Sequence, residues 1–345
     1  MRGAERRAGI DISFGAACVV ACLTLPSPRA NAELVLFDTF DYVVGRTEAN
    51  STAIPKFRAA GWSQAKRLPT DPGALGYLYT VSQADMRATT GYNGPLPGGG
   101  SRVLKMEVPA GTSQTDFYLE LSGGADTIPG DVWFQFWIYS NHYGSELGGV
   151  VSRNKFIYPS NNSYPSSTDK WLFILSAWSG VPSESVPYGD ATGGQFAPIT
   201  RDNTVGSINY SAANDSSNRS KLGPNLVPAS QGFVQANRWT QVKIHYDTSV
   251  ANRGVFEVWL RPYGGAWVKT TEWIGGVTPN FTWTGFPAGG HSSMRMPTTL
   301  PASSGSVNSA GAYYYMDDFA MATSEDSLPD ADTARPSSPT DVTVD

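Results

Sequence analysis

Residues that can transfer protons or hold an anion cluster in the segment DVWFQFWIYSNHY, Asp131 to Tyr143, and shortly after it. The candidate acids and bases are His142, Tyr139 and Tyr143, and a histidine suits both roles because its ordinary pKa lies near neutrality. The groups that can hold or neutralise an anion are Gln135, Asn141, Arg153 and Lys155. A lone loop histidine can equally be a solvated side chain. The residue types therefore predict either an acid–base site or a polar strand end.

The same segment is predicted to be a β-strand with large side chains on both faces. Successive side chains of a strand point to opposite faces. One face carries Val132, Phe134, Phe136 and Ile138, which fit a core between two sheets. The other face carries Trp133, Gln135, Trp137 and Tyr139, each of which keeps a hydrogen-bonding atom. A binding groove predicts that this second set is open, whereas a core covered by residues 179–235 predicts that it is buried.

Three other positions carry candidate chemistry. In DFYLEL, Tyr118 and Glu120 point away from the predicted core side, and Glu120 either orients a basic partner such as Arg153 or forms a surface pair. His245 shares a strand face with Gln241 and Lys243, which predicts an exposed strand position. His291, in AGGHSSMRMP, is predicted to lie in a loop or at the rim of a site.

Carboxylates near the two ends of the chain are candidate metal ligands. Asp317 and Asp318 follow three tyrosines on a strand that we expect to pair near the N-terminal strand with Asp38. Carboxylate and carbonyl oxygens of this kind can bind a structural Ca²⁺. Ordinary capping and turn hydrogen bonds are the alternative. No organic cofactor is predicted.

Short strand-like runs separated by Gly, Pro, Asn and Ser clusters extend along most of the chain, and helical periodicity is hard to find. Several runs alternate, such as RVLKMEV and TQVKIHY. This pattern predicts an all-β protein in which two antiparallel sheets pack face to face. We expect one domain over 33–323, in which 179–235 is a functional loop or hides weak strands, and a disordered tail or linker over 324–345.

The first residues indicate export. Basic residues precede an apolar run, and ANA before Glu33 has the small-x-small pattern of a cleavage site, so residues 1–32 are predicted to be a signal peptide. A lipid anchor at Cys22 is the alternative. Both cysteines, Cys18 and Cys22, lie in this leader, which excludes disulfide and thiol chemistry from the mature chain. The net charge of −5 argues against nucleic acid or an anionic membrane as the main partner. The apolar run of the leader is shorter than a bilayer span, and no other apolar stretch is long enough to cross one.

Four segments together resemble the concanavalin A-like lectin/glucanase jelly roll: LFDTFD, RVLKMEVPAG with DFYLELSGG, RWTQVKIHYDTSVANRGVFEVWLRP, and YYYMDDFAMATS. Within that superfamily they are most similar to secreted polysaccharide lyases of the alginate, glucuronan and heparin type. The resemblance implies a two-sheet antiparallel jelly-roll sandwich with a polysaccharide groove on one sheet. It further implies substrate-binding positions on the strand of Tyr118 and Glu120. Relatives of this fold often hold Ca²⁺.

The chain departs from the catalytic motifs of those families. Tyr118 stands where alginate lyases carry the arginine of R-x-E-L-R, so that only Glu120 and Leu121 fit, and neither the Gln-Ile-His strand nor the glucanase E-x-D-x-x-E pattern has a match. The leading hypothesis is a secreted, extracellular or periplasmic monomer that cleaves a uronate-containing polysaccharide by β-elimination. A non-catalytic lectin, a glycoside hydrolase and a structural surface protein are the alternatives. The hydrolase is disfavoured because it needs two acids across the scissile bond.

Overall fold

Alternating apolar and polar residues form antiparallel strands over most of the chain that the structure describes. The computed structural model describes residues 32–71, 76–109, 117–124, 126–140, 152–160, 171–177, 189–190, 193–200, 234–235, 237–250, 254–274, 289–296 and 312–330. Between 152 and 200 it describes the backbone and, of the side chains, only those of Phe156, Ile157 and Pro159.

The strands in chain order are β1 Leu34–Asp38, β2 Gln64–Lys66, β3 Tyr77–Ser82, β4 Arg102–Val108, β5 Tyr118–Ser122, β6 Asp131–Ser140, β7 Ser152–Ser160, β8 Trp171–Ala177, β9 Gly189–Asp190, β10 Gly193–Thr200, β11 Val234–Gln235, β12 Thr240–Asp247, β13 Val255–Pro262, β14 Val268–Ile274, β15 Ser293–Met296 and β16 Ala312–Ala322. The predicted runs all correspond to strands. Short strands such as β2 and β15 were not predicted.

These strands form two eight-stranded sheets. The first sheet has the order β14-β13-β12-β6-β16-β4-β3, and β1 pairs with β16. The second sheet has the order β11-β10-β8-β7-β15-β5-β2, and β9 pairs with β10. Neighbours that lie far apart in sequence, such as β16 between β6 and β4, show that long-range pairing builds each sheet. The prediction of an all-β, two-sheet antiparallel sandwich is confirmed.

The core lies between the sheets and is formed by one parity of each strand. Val132, Phe134, Phe136 and Ile138 are all fully buried, as predicted for the hydrocarbon face of β6. Phe136 stacks on Phe156 of the second sheet with ring centroids 5.6 Å apart. Full burial of a side chain of this size contributes about 1.5–3 kcal/mol, so this face fixes the register of β6.

Two helices were not predicted. They are α1, Asn50–Ala59, and α2, Gln83–Thr90. Ser82 caps α2 by accepting from the Asp85 backbone N–H, while the Asp85 side chain accepts from the Ser82 backbone, which is a capping box. Gly91 ends the helix at φ 71°, a conformation that glycine adopts without strain. In the described part of the chain, no helix has the length and apolar character needed to cross a membrane.

Candidate functional site

The predicted site residues divide between opposite outer faces of the sandwich. Trp133, Gln135, Trp137 and Tyr139 lie on the outer face of the first sheet, because the alternate residues of β6 form the core. Tyr118 and Glu120 lie on the outer face of the second sheet, since Phe117 and Leu119 are fully buried. The structure therefore does not bring these two sets together into one groove.

On the outer face of the second sheet, a polar row crosses three neighbouring strands. Gln64 of β2 is opposite Glu120 of β5, and Glu120 is opposite Arg295 of β15. The Arg295 Nε donates to Glu120 Oε2 at 2.7 Å, and the Gln64 amide donates to Oε1 at 3.3 Å. Directly opposed residues of antiparallel strands share a face, so the register itself brings these three side chains together.

Tyr118 provides a second support for the arginine. The Arg295 guanidinium lies over the Tyr118 ring, 4.2 Å from its centroid, and the Lys66 ammonium lies 6.0 Å from the same centroid. A cation over an aromatic ring is attracted by the ring quadrupole. Tyr118 thus packs against an arginine supplied by the neighbouring strand.

Glu120 and Arg295 form a largely buried pair. Their side chains are 8% and 14% exposed, and charge-assisted bonds in such surroundings are stronger than those in water. The described basic partner of Glu120 is Arg295, and the side chain of the predicted partner, Arg153, lies outside the described residues. One edge of the guanidinium is bound through Nε, which fixes the orientation of the whole planar group. We therefore define Gln64, Lys66, Tyr118, Glu120 and Arg295 as the arginine site.

The second parity of β6 is mostly buried. Gln135, Trp137 and Tyr139 are 7%, 3% and 1% exposed, and only Trp133 is partly open. Gln135 donates to the Pro329 carbonyl at 2.8 Å, and the Tyr139 ring contacts those of Tyr92 and Trp239 at 5.6 Å each. The structure thus favours a covered face over an open groove at these three positions, and the described covering groups include the C-terminal segment and Tyr92.

Cations and indoles alternate across the edge of this face. The members in spatial order are Lys269, Trp259, Lys243, Trp267, Arg261 and Trp137, with cation-to-centroid distances of 5.1, 5.2, 4.7, 5.1 and 5.5 Å. Cation–π attraction uses the ring faces. We call this set the cation–indole ladder. The cations of this ladder therefore lie near ring surfaces on which a sugar could otherwise stack.

His245 is not the exposed strand residue that its position predicted. Its side chain is 16% exposed, its Nδ1 lies 2.8 Å from Glu257 Oε2, and its Nε2 lies 3.0 Å from Asp131 Oδ1. The ring also stacks on Trp133 at 4.2 Å. Burial acts to lower the pKa of His245, but the hydrogen bonds to Asp131 and Glu257 outweigh it and raise the pKa to about 9. His245 is therefore an imidazolium that joins β6, β12 and β13.

His291 is buried at 2% exposure rather than placed at a rim. Its Nε2 lies 2.9 Å from the Tyr246 hydroxyl, and burial lowers its pKa to about 4. A neutral histidine between the sheets has a packing role. It lies opposite Ile128 in an isolated bridge that leads into β15.

Several predicted residues fall outside the described chain. Asn141, His142 and Tyr143 are in this group, and the side chains of Arg153 and Lys155 are also outside it, although both residues belong to β7. The backbone of Tyr158 in β7 pairs with that of Arg295. Strand β7 is thus the neighbour of β15 on the side away from Glu120.

Asp38, one of the predicted calcium ligands, accepts hydrogen bonds from three donors. Asp38 Oδ1 accepts from the Phe40 backbone N–H at 2.8 Å, while Oδ2 accepts from Tyr42 at 2.8 Å and from Trp62 at 2.7 Å. Burial raises the pKa of Asp38 to about 6, although these hydrogen bonds act to lower it. Within the described residues no three acidic, histidine or cysteine side chains form a group that could hold a metal. The groups around Asp38 are hydrogen-bond donors. A structural Ca²⁺ site stays a prediction.

The sequence interpretation missed Arg295, Gln64 and Lys66. Strand β15 is SMRM, in which Met294 and Met296 are fully buried. Alternation of two methionines with an arginine is a two-residue period, and this period could have placed Arg295 on an outer face. Its pairing with Glu120 could not be read from spacing, because 175 residues separate the two.

Comparison with known proteins shows a likeness of fold alone. No family model and no curated protein sequence matches the chain. A marine PL-14 alginate lyase from Aplysia kurodai aligns at 11% identity and a TM-score of 0.48, covering 84% of this chain and 99% of that one. An endo-β-1,4-glucuronan lyase from the fungus Trichoderma reesei aligns at 14% identity and 0.42, covering 79% and 95%. An alginate lyase from a Chlorella virus aligns at 9% and 0.37, covering 81% and 99%.

Proposed function

We propose that the chain binds a uronate-containing polysaccharide at the arginine site and cleaves it by β-elimination. The observation that supports this proposal is the fixed orientation of Arg295, which is bound by Glu120 at 2.7 Å and packed on Tyr118 at 4.2 Å. A planar guanidinium held in this way matches the geometry of a carboxylate. Lys66, on the far strand of the same site, adds a second positive charge.

The proposed reaction needs three functions. Arg295 neutralises the uronate carboxylate, so that the proton on C5 becomes acidic enough to remove. A base takes that proton, the bond from C4 to the glycosidic oxygen breaks, and an acid protonates the leaving oxygen. The products are a C4–C5 unsaturated uronate and a new chain end. We assign proton transfer to the phenol of Tyr118, which adjoins Arg295, together with His142 and Tyr143 from the segment after β6.

The roles predicted for the outer face of the first sheet change accordingly. Tyr139, Trp133, Gln135 and Trp137 lie across the sandwich from Arg295, so we do not include them in this site. Arg153 and Lys155 belong to β7, adjacent to β15, and we propose that they extend the cationic surface along the second sheet. Asn141 remains a proposed substrate contact.

A lectin is the second candidate, because the arginine site could bind an acidic sugar without cleaving it. The hydrolase is less well supported, since Glu120 already accepts from Arg295 and Gln64, whereas hydrolysis needs two available carboxyl groups. Within the described part of the second sheet, Glu120 is the one carboxylate that we place at the site.

The test is an assay of the mature protein on alginate, glucuronan, heparin and a neutral glucan. Near-ultraviolet absorbance reports unsaturated uronates, and reducing ends report all cleavage. We expect both signals on a uronate substrate. For Arg295→Gln we expect kcat/KM to fall by at least about a hundredfold, because one preorganised charge contact is removed. Gln64→Ala is the matched control and should lose far less, because the hydrogen bond that Gln64 makes within the described site is to Glu120 and not to Arg295.

The outcomes separate the candidates. Reducing ends without absorbance would support a hydrolase, and binding that Arg295→Gln abolishes, without any product, would support a lectin. Unchanged cleavage by Arg295→Gln would place the site elsewhere.

We also propose that the chain is exported by cleavage after Ala32 and acts outside the cytoplasm as a monomer. Mass spectrometry of the mature chain would distinguish cleavage before Glu33 from a lipidated Cys22. A thermal unfolding midpoint that a chelator does not change would contradict the prediction of structural Ca²⁺.

A further inference from the structure

The C-terminal segment, residues 324–330, is bound to the outer face of the first sheet through two polar side chains. Lys243 of β12 lies opposite Gln135 of β6, and opposed residues of antiparallel strands share a face. The Lys243 ammonium pairs with the Glu325 carboxylate, and the Gln135 amide donates to the Pro329 carbonyl at 2.8 Å. The segment thus places one anionic and one neutral acceptor on two donors that lie side by side on the sheet.

Lys243 is a nearly buried cation held between two indole rings and one carboxylate. Its side chain is 10% exposed, and its Nζ lies 5.2 Å from the Trp259 ring centroid and 4.7 Å from that of Trp267. An indole attracts a cation through its ring face but offers no lone pair for a strong hydrogen bond. The acceptor that the ammonium needs is therefore supplied by Glu325, from a segment outside both sheets.

The C-terminal segment is attached in a way that lets it leave without disturbing the sheet. It begins directly after Thr323, whose backbone N–H still donates to the Glu33 carbonyl at 2.9 Å, next to the β1–β16 ladder. The Glu325 side chain is 50% exposed, and Leu328, the large apolar residue of the segment, is only partly buried. A partly exposed ion pair and one neutral hydrogen bond add little net stability, because both replace bonds to water. Another carboxylate can therefore take the place of Glu325.

We propose that Lys243 and Gln135 form a second saccharide site, which binds the carboxylate of a uronate residue at Lys243 when that ligand displaces Glu325. A uronate presents the same groups as the C-terminal segment, a carboxylate beside neutral oxygens that can accept from an amide. No preformed cavity is required, because the departing segment uncovers the two donors. The C-terminal segment is thus an internal competitor of the saccharide.

The rest of the row favours a sugar over an acidic peptide. Lys243 is followed across the sheet by Trp259 of β13 and then by Lys269 of β14. An amide, a cation, an indole and a second cation therefore follow one another at the strand spacing of about 4.8 Å. Trp259 is partly exposed, and an indole between polar groups suits a sugar, which combines hydroxyls with an apolar ring face. The ligand class rests on the proposed function, whereas the site lies on the opposite sheet from Arg295.

The test is calorimetry of the mature protein in an Arg295→Gln background, which removes the cation of the arginine site. We expect Glu325→Ala to tighten binding of a glucuronate oligosaccharide by about two- to fivefold, because a competitor held by a partly exposed ion pair is removed. Asp326→Ala is the matched control, since Asp326 is exposed in the same turn and carries the same charge. It should leave the affinity unchanged, and Lys243→Met should abolish the binding.

Reductive methylation of lysines, read by mass spectrometry, is a second measurement that needs no change at Lys243. In the Glu325→Ala protein, Lys243 should be labelled faster than in the Asp326→Ala protein, and the glucuronate oligosaccharide should protect it several-fold. A neutral gluco-oligosaccharide of equal length and poly-glutamate, an acidic peptide, should protect it little.

The outcomes separate this site from the arginine site. Equal affinities of the Glu325→Ala and Asp326→Ala proteins, binding that survives Lys243→Met, or equal protection of Lys243 by poly-glutamate would each overturn the proposal. Binding at Lys243 in a protein that cleaves no uronate substrate would count against the proposed function alone.

Discussion

At the scale of single residues, two carboxylates hold the ring of His245 in its charged form, and titration can detect this. Both ring nitrogens of His245 lie within hydrogen-bond distance of carboxylates, at 2.8 and 3.0 Å, so the imidazole must carry two protons to donate to both. The raised pKa of about 9 agrees with this arrangement. A folded-state pKa above the unfolded value near 6.5 means that the added stability is complete below the unfolded value and disappears as pH rises through about 9.

We therefore expect His245→Gln to lower the free energy of unfolding by roughly 1–3 kcal/mol at a pH near 6, with the difference narrowing by about pH 10. Urea unfolding of both proteins across this range measures the difference. Asp131→Asn is the matched control and should show a smaller, similarly pH-dependent loss, because Glu257 remains. A pH-independent difference would contradict the charged pair of contacts.

Individual side chains show where sequence interpretation succeeds. The parity of β6 was predicted correctly for all four core residues, because a two-residue period is a strong local signal. The burial of Gln135, Trp137 and Tyr139 was left open, since it depends on Pro329, Arg261 and Tyr92, which approach from distant parts of the chain. The Glu120–Arg295 pair of the arginine site was missed for the same reason.

At the scale of elements, one arginine joins the segments that precede β3. Arg67 is fully buried, and it donates to the carbonyls of Gly45, Glu48 and Leu78 at 2.6, 2.5 and 3.1 Å. These bonds connect the loop before α1 to the end of β2 and to β3. The fold class was predictable from alternation, but this connection was not, because nothing in the local pattern distinguishes a buried arginine from an exposed one.

We expect Arg67→Met to destabilise the protein by roughly 3–5 kcal/mol, because one buried carbonyl and two partly buried ones would lose their donor. Arg58→Met is the matched control. Arg58 is exposed and donates to a single carbonyl, that of Ser63 at 3.0 Å, so its loss should cost less than about 1 kcal/mol. Thermal and urea unfolding would measure both, and equal losses would refute the structural role assigned to Arg67.

At the scale of the whole molecule, the C-terminal segment covers part of the outer face of the first sheet. The C-terminal segment lies on the first sheet, where Glu325 pairs with Lys243 and the Pro329 carbonyl accepts from Gln135. Sequence analysis assigned residues 324–345 to a disordered tail. Residues 324–330 instead include a 3₁₀ turn, Glu325–Ser327, and contact the sheet. The prediction of disorder relied on the low hydrophobicity of this segment. Hydrophobicity gives no sign of contacts that a segment makes through polar groups.

A chain ending at Thr323 should therefore expose Lys243 to amine-reactive labelling and lose about 1 kcal/mol of stability, the value of one neutral hydrogen bond and a partly exposed ion pair. A chain ending at Asp330 keeps both contacts and is the matched control. Equal labelling of Lys243 in the two truncated proteins would show that the segment does not cover it.

The stacking of Trp133 on His245 has an optical consequence. The rings are 4.2 Å apart with planes inclined by 7°, and a protonated imidazole in contact with an indole quenches its fluorescence. Emission from Trp133 should therefore be weak at neutral pH and should increase as His245 loses its proton. Trp133, which lies 5.5 Å from Trp259 of the cation–indole ladder, is therefore an intrinsic reporter of the charge state of His245 that can be followed without any label.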